Sequence, residues 1–244
     1  MESIFKINNL MKQFKGKTVL SIDELNIQRG AVTAIIGPSG AGKSTLLSIL
    51  NGLTTPDGGK ILFEDQDISG GIKHGDYNRR SMAMVFQNAV MFQGTVFENI
   101  AYGLKLRGMP EHEVKVRVNE VLELIGLKEI AYQKAETISG GEAQRIALAR
   151  AMVFKPKVLF LDEPTANLDP ANVTQIEKLI VHAKEHYGTT VILVTHNMFQ
   201  AKRLANYTVF MMNGSIVEYG SNEEVFANPS NEKTKLFISG EMIY

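Results

Sequence analysis

The sequence predicts an α/β fold: a parallel-sheet core with a helical insertion. Three observations carry this expectation. Short apolar strands alternate with helical stretches toward both ends of the chain. A helix-rich block fills roughly residues 88–154 between them. One strand, Ala31–Ile36, runs through a glycine-rich loop directly into a helix.

Ile4–Asn9 and Thr18–Ile27 alternate apolar and polar residues imperfectly and read as strands. Ala31–Ile36 is a short apolar run ending at glycine, as a buried strand does. From Lys43 to Leu50 apolar residues come at helical spacing, and Asn51-Gly52 stops the run. Ser81–Phe86 is a further strand. Val96–Leu106 and Glu111–Ile125 read as helices separated by Gly108 and Pro110, and a third helix runs from about Glu142 to Phe154. Strand Val158–Leu161, helix Ala171–His186, strand Thr190–Val194 and helix Met198–Leu204 follow. The pattern closes on a hairpin, Thr208–Met212 and Ser215–Tyr219, turning at Asn213-Gly214. No short-period repeat or low-complexity tract interrupts it.

A chain of 244 residues suits one large domain, or a core with one insertion. Lysines plus arginines equal aspartates plus glutamates at 26 each, which argues against a bulk nucleic-acid binder. With no cysteine there is no disulfide framework and no thiolate metal site. No apolar run approaches the roughly 18 residues of a spanning helix. The opening MESIFKINNL lacks the apolar core of a signal peptide. A membrane role is therefore expected to come through a partner.

Gly37-Pro38-Ser39-Gly40-Ala41-Gly42-Lys43-Ser44 matches G-x-x-x-x-G-K-[ST] between a strand and a helix. Glycines let the backbone wrap so that its N–H groups face phosphate oxygens. Lys43 adds charge for the outer phosphates, the Ser44 hydroxyl can ligate Mg²⁺, and the helix start, through Thr45, is an anion site. Val158-Leu159-Phe160-Leu161-Asp162-Glu163-Pro164 is an apolar strand ending in two carboxylates. Beside a phosphate loop, Asp162 would hold Mg²⁺ and Glu163 would polarise an attacking water; taken alone, the pair also reads as a solvated strand end before a turn. Ser139 and Glu142 form a capping box, and the glycines between them make the same helix start a phosphate site.

Ile138-Ser139-Gly140-Gly141-Glu142-Ala143-Gln144-Arg145 resembles the signature motif of ABC ATPases, usually LSGGQ, with Ile138 for the usual Leu and Glu142 for the usual Gln. The three motifs stand in the family's order, and the resemblance covers nearly the whole chain. It implies a P-loop NTPase (RecA-like) core with an antiparallel β subdomain, 1–87 and 155–244, and an inserted α-helical subdomain, 88–154. Phe14 stands where the family stacks an aromatic residue on adenine, although a lone Phe14 would read as core. Gln87 matches the glutamine linking core to insertion, a metal and catalytic residue. Ala166-Asn167-Leu168-Asp169 matches the loop after the acidic strand, and His196 matches the switch histidine. His182 and His186 are spaced to share a metal, but with no third ligand they read as a solvated helix face. His74 and His112 carry no signal.

The resemblance implies ATP and Mg²⁺ as ligands and a head-to-tail pair of copies around two ATP molecules. One copy would supply Lys43, Ser44, Gln87, Asp162, Glu163 and His196, and the other Ser139, Gly140 and Gly141. It further implies integral-membrane permease subunits as partners, an extracytoplasmic solute-binding protein in the full system, no nucleic acid, and a peripheral place on the cytoplasmic face of the cell membrane. An exporter or a non-transport ATPase is the alternative. Val90–Leu104 and the closing Gly240–Tyr244 resemble importer subunits for oxyanions such as tungstate, molybdate or phosphate. The apolar Val90-Met91-Phe92 either joins the insertion's own core or is covered by a partner. We expect Met91 and Phe92 to line a groove for a permease helix.

Overall fold

The computed structural model describes residues 2–71 and 77–242, so Met1, His74, Ile243 and Tyr244 lie outside the described residues. The chain folds as two units, Met1–Met82 with Thr190–Tyr244, and Ala83–Thr189.

The first unit holds an antiparallel sheet built on β1 (Ser3–Phe14) and β2 (Lys17–Gln28), extended by β4 (Gly58–Phe63) and β5 (Gln66–Asp67) in the order β2-β1-β4-β5. β1 outruns the expected Ile4–Asn9, and the reason is local. It buries Phe5 and Ile7, then Leu10, so the inward parity switches in mid-strand. Asn9 sits at the switch with φ 49, where the pairing with β4 shifts register. β2 switches with it, because Ile7 faces Leu25 and Leu10 faces Ile22. Strand β4 has no counterpart among the expected elements, since it opens on two glycines that carry no β signal. Its Phe63 packs on Phe5 with ring centroids 5.0 Å apart.

The second sheet of this unit has the order β10-β9-β3-β8. β3 (Val32–Ile36) and β8 (Thr190–Val194) are buried at every position, as strands covered on both faces must be. They run parallel, with Ile35 opposite Val194, and β9 (Tyr207–Met212) is parallel to β3 on its other side. β10 (Ser215–Ser221) returns antiparallel through Asn213 and Gly214, both left-handed at φ 50 and 80, as a two-residue hairpin turn requires. Helix α1 (Lys43–Leu50) follows β3, and α7 (Met198–Leu204) follows β8.

The second unit holds β6 (Met82–Val85), beginning at the boundary, beside β7 (Val158–Asp162). The short α2 (Tyr77–Arg80) precedes β6 in the chain. Helices α3 (Val96–Leu106), α4 (Glu111–Leu124), α5 (Gly140–Met152) and α6 (Pro170–Tyr187) complete this unit. α3 faces α4 and α5 with Val96, Ile100 and Leu104 buried at helical spacing. α3, α5 and α6 each start on a capping signal: Thr95 with Glu98, Ser139 with Glu142, and Asp169 ahead of Pro170. Among the described residues no helix is long and apolar enough to cross a membrane.

Two short helices, α8 (Asn222–Ala227) and α9 (Glu232–Ser239), close the first unit. Neither is long enough to show a periodic face, although Ser221 and Glu224 spell a capping box. Phe237 of α9 stacks on Phe210 at 4.8 Å. Glu218 of β10 holds the approach to α9, accepting from Ser230 N at 2.7 Å, Ser230 Oγ at 2.8 Å and Asn231 N at 3.2 Å. Burial pushes this carboxyl up, and its hydrogen bonds outweigh burial and hold it below the ordinary glutamate value. A depressed folded value stabilises above the unfolded one and is lost as pH falls through the folded one. Glu218→Gln is therefore expected to lower the melting temperature at neutral pH by roughly 2–4 °C, the shift about 1 kcal/mol gives at this size. Melting curves across an acid series should show the two proteins converging below the carboxylate range.

Candidate nucleotide site

In the first unit the site grows from the carboxyl end of β3, where an α/β sheet opens a crevice. Gly37 leaves the strand at φ 146, and a Cβ there would lie 2.1 Å from the Met211 carbonyl oxygen. Gly42 caps α1 at φ 97 and offers no side-chain acceptor to its first N–H groups. The loop that results can pass only as glycine at both ends. Ser39, Gly40 and Ser44 are exposed and Thr45 is half-buried. The Lys43 side chain is turned inward: it is 9% exposed, and its ammonium donates to the Gly37 and Pro38 carbonyls at 2.8 Å each. A cation thus sits within a ring of its own backbone, beside a helix start with its dipole positive.

The parallel register sets His196 near this loop. Val194 faces Ile35, and Thr195 N donates to the Ile35 carbonyl at 3.4 Å. Gly37 and His196 each follow two residues later on neighbouring strands. Thr195 Oγ1 accepts from Asn197 N at 3.0 Å, and Asn197 caps α7, so exposed His196 stands in a braced bend. Phe14 enters from the antiparallel sheet. The Val19 carbonyl oxygen would be 3.1 Å from a Cβ on Gly42, so β2 abuts the phosphate loop. Phe14 pairs with Lys17, two residues up β2 from Val19. At the rise of a strand that is about 7 Å, within the length of a nucleoside triphosphate. Phe14 is 48% exposed, not core.

In the second unit β7 ends at Asp162, and Glu163 takes φ 52. A non-glycine residue held left-handed at a strand end marks a constrained position. The Glu163 carbonyl accepts from Ala166 N at 3.1 Å, which curls Ala166–Asp169 back toward α6. Asp169 Oδ1 accepts from Ala171 N and Asn172 N, capping α6. The signature segment is a fully formed capping box. The Ser139 N–H and hydroxyl donate to Glu142 Oε2 at 2.8 and 2.6 Å, and the Ser139 hydroxyl and N–H hold the Glu142 carboxyl below its usual range. Gly141 is glycine for space: a Cβ there would be 2.3 Å from Asn172 Nδ2.

A cavity of about 260 Å³ brings Gln87, Gly140 and Ala166–Leu168 together. Gln144 forms part of its wall, 3% exposed, and donates to the Phe86 carbonyl at 3.2 Å. The signature helix is thereby tied to the residue before Gln87. Gln144 and Asn172 were not among the residues singled out from sequence, though a buried glutamine on the inner face of α5 is a readable signal. His182 and His186 stack ring on ring at 4.1 Å.

Two glycine-bearing helix starts, a buried lysine and a carboxylate pair at a strand end define a P-loop ATPase of the ABC type. The sequence profile of the ABC transporter family matches residues 20–166, and the chain belongs to that family. It is 42% identical over 216 residues to the tungstate uptake system ATP-binding protein TupC of Peptoclostridium acidaminophilum, covering 87% of this chain and 96% of that protein. It is 41% identical over 251 residues to the phosphate import ATP-binding protein PstB 2 of Aliivibrio fischeri, covering 96% and 89%. The solved structure of cbiO1 from Clostridium perfringens, part of the ABC transporter complex cbiONQ, superposes with a TM-score of 0.83 at 34% identity, over 97% of this chain and 94% of that one.

Lys43→Ala removes the buried cation of the loop. Charged hydrogen bonds are worth about 1.5–3 kcal/mol, so ATP affinity should fall at least ~10-fold. Titration calorimetry giving an unchanged affinity would move the site elsewhere.

Proposed function

We propose that this chain is the ATP-hydrolysing motor of an importer, working on a separate integral-membrane permease from the cytoplasmic face of the membrane. The observation that carries this reading is the coexistence of two helix starts built for anions in one chain. The start of α1 carries Lys43 and Ser44, and the start of α5 carries Ser139, Gly140 and Gly141. Two such starts serve one nucleotide when two copies pair head to tail, each closing the other's ATP. Lys43, Ser39, Gly40 and Thr45 bind phosphates, Phe14 stacks on the base, and Ser139 to Glu142 contact the nucleotide from the partner copy.

Mg²⁺ takes hard oxygen ligands, and the resemblance to ABC ATPases assigns it the Ser44 hydroxyl, the Asp162 carboxylate and the Gln87 amide oxygen. Held by these residues, Mg²⁺ would neutralise phosphate charge. Glu163 orients the attacking water as general base, and His196 stabilises charge on the outer phosphate. Positioning and electrostatics account for most of such a reaction.

Residues 1–87 with 155–244 act as the core and 88–154 as the helical subdomain that meets the permease. A groove of about 670 Å³ supports this reading. It is lined by Phe92, Gly94, Tyr102 and Leu106, with Glu98 and Lys105 as charged members. Phe92 packs on Tyr102 at 4.7 Å. The Arg150 guanidinium lies over Phe92 at 4.5 Å and donates to the Val90 carbonyl at 2.9 Å, so the loop is held rather than loose. Met91 is half-buried and does not line this groove. An apolar trough with a few charges fits a short amphipathic helix. The names of the tungstate and phosphate relatives support import of an oxyanion. An extracytoplasmic solute-binding protein would deliver it.

Glu163→Gln keeps size and removes the base. ATP binding is expected to persist, turnover to fall by at least ~100-fold, and an ATP-bound dimer to accumulate in light scattering. Hydrolysis at the wild-type rate would remove Glu163 from this role. Phe92→Ser with Tyr102→Ser should leave the isolated chain folded and able to hydrolyse ATP, while transport by the reconstituted system is lost. Undiminished transport by a well-folded double variant would reject the groove as the dock.

A further inference from the structure

Phe14 closes the β1–β2 hairpin, where Lys15 and Gly16 turn the chain at φ 50 and 79. A ring at a hairpin tip is ordinarily free to rotate, and a free ring makes a poor platform because stacking must first order it. Here one of its faces is occupied. Lys12 Nζ lies 5.1 Å from the Phe14 ring centroid, within cation–π range. The ammonium is itself fixed, donating to the Thr55 carbonyl at 2.8 Å and to Asp57 Oδ1 at 3.1 Å. The Lys12 side chain is only 12% exposed. Asp57 completes the clamp by accepting from Gln13 N at 2.6 Å, the residue between Lys12 and Phe14. The Gln13 N–H and then the Lys12 ammonium hold the Asp57 carboxyl below its usual range, so the clamp stays charged at neutral pH.

We propose that Lys12, locked by Asp57 and Thr55, is a positioning residue for the nucleotide base: it covers one face of Phe14 and presents the other as a single-sided stacking platform. This rests on the reading of Phe14 as the base-stacking residue. A cation on one face draws π density toward itself and leaves the opposite face a better partner for an electron-rich purine. Lys12 acts through Phe14 and touches no phosphate.

The test compares ATP with inorganic tripolyphosphate, which lacks a base, by titration calorimetry on the full chain. Phe14→Ala tests the underlying reading: ATP affinity should fall while tripolyphosphate affinity holds, and an unchanged ATP affinity would end the reading itself. Lys12→Met tests the proposal by keeping the apolar stem and removing the charge. ATP affinity should fall roughly 2- to 5-fold, the lower end of the range for a cation–π contact, with tripolyphosphate unaffected. Lys12→Arg, which returns a cation to the ring, should recover at least half of that loss. Equal losses for both ligands in Lys12→Met would mean that Lys12 acts on phosphate or on the fold, and would overturn the proposal. So would ATP affinity unchanged in Lys12→Met while Phe14→Ala loses it, or no recovery in Lys12→Arg.

Discussion

The first N–H groups of every α-helix have no acceptor within the helix, and this protein is organised around how two helices meet that constraint. α1 meets it with glycine at the cap, so nothing in the residue itself competes for an incoming anion. α5 meets it with a closed Ser139–Glu142 box: the Ser139 hydroxyl accepts from Glu142 N, while the Ser139 N–H and hydroxyl donate to the Glu142 carboxylate. On the reading proposed above, the α1 start takes phosphate with no capping side chain to displace, and the boxed one would have to exchange partners to do so. Most of the surrounding construction serves to hold these ends in place: the all-buried β3 ahead of α1, and Asn172 wedged against Gly141 at α5.

Much of this was legible in the sequence, and for physical reasons. α1, α3, β8 and α7 fall where the sequence places them because each is bounded by a strong local stop or cap. The phosphate loop was legible because Gly37 and Gly42 are required by close approaches to backbone and side chain, and Gly40 by its left-handed backbone. What escaped was non-local. The parity switch at Asn9 depends on β4 pairing across a bulge, and β4 itself begins with residues that disfavour strands until two neighbours supply the ladder. Gln144, beyond its place in the signature string, and Lys12 take their meaning only from the carbonyl or ring they meet.

The loop Val90–Phe92 illustrates a choice that composition could not make. Its apolar side chains suited either a core or a partner, and a partner was expected. Asn99, 1% exposed, decides the matter by accepting from Phe92 N and donating to the Phe92 carbonyl, which fixes the backbone and leaves Val90 and Phe92 on the surface. A buried polar side chain spends its hydrogen bonds on keeping an apolar loop outside.

The hairpin turn Asn213-Gly214 bears on how long the molecule survives chemically. An asparagine followed by glycine is the pair most prone to lose its side-chain amide, because the glycine nitrogen attacks the neighbouring carboxamide to close a succinimide, and such thermolabile residues limit protein lifetime. Here the Gly214 nitrogen donates to the Ala41 carbonyl at 3.1 Å, and the Gly214 carbonyl accepts from Ser21 N at 2.9 Å. The attacking atom is engaged and its peptide is clamped on both sides, so ring closure requires the turn to leave the phosphate loop first. Ageing at this position is thereby coupled to release of the turn from the Gly37–Ser44 loop, and an isoaspartate formed there would lengthen the backbone directly against that loop.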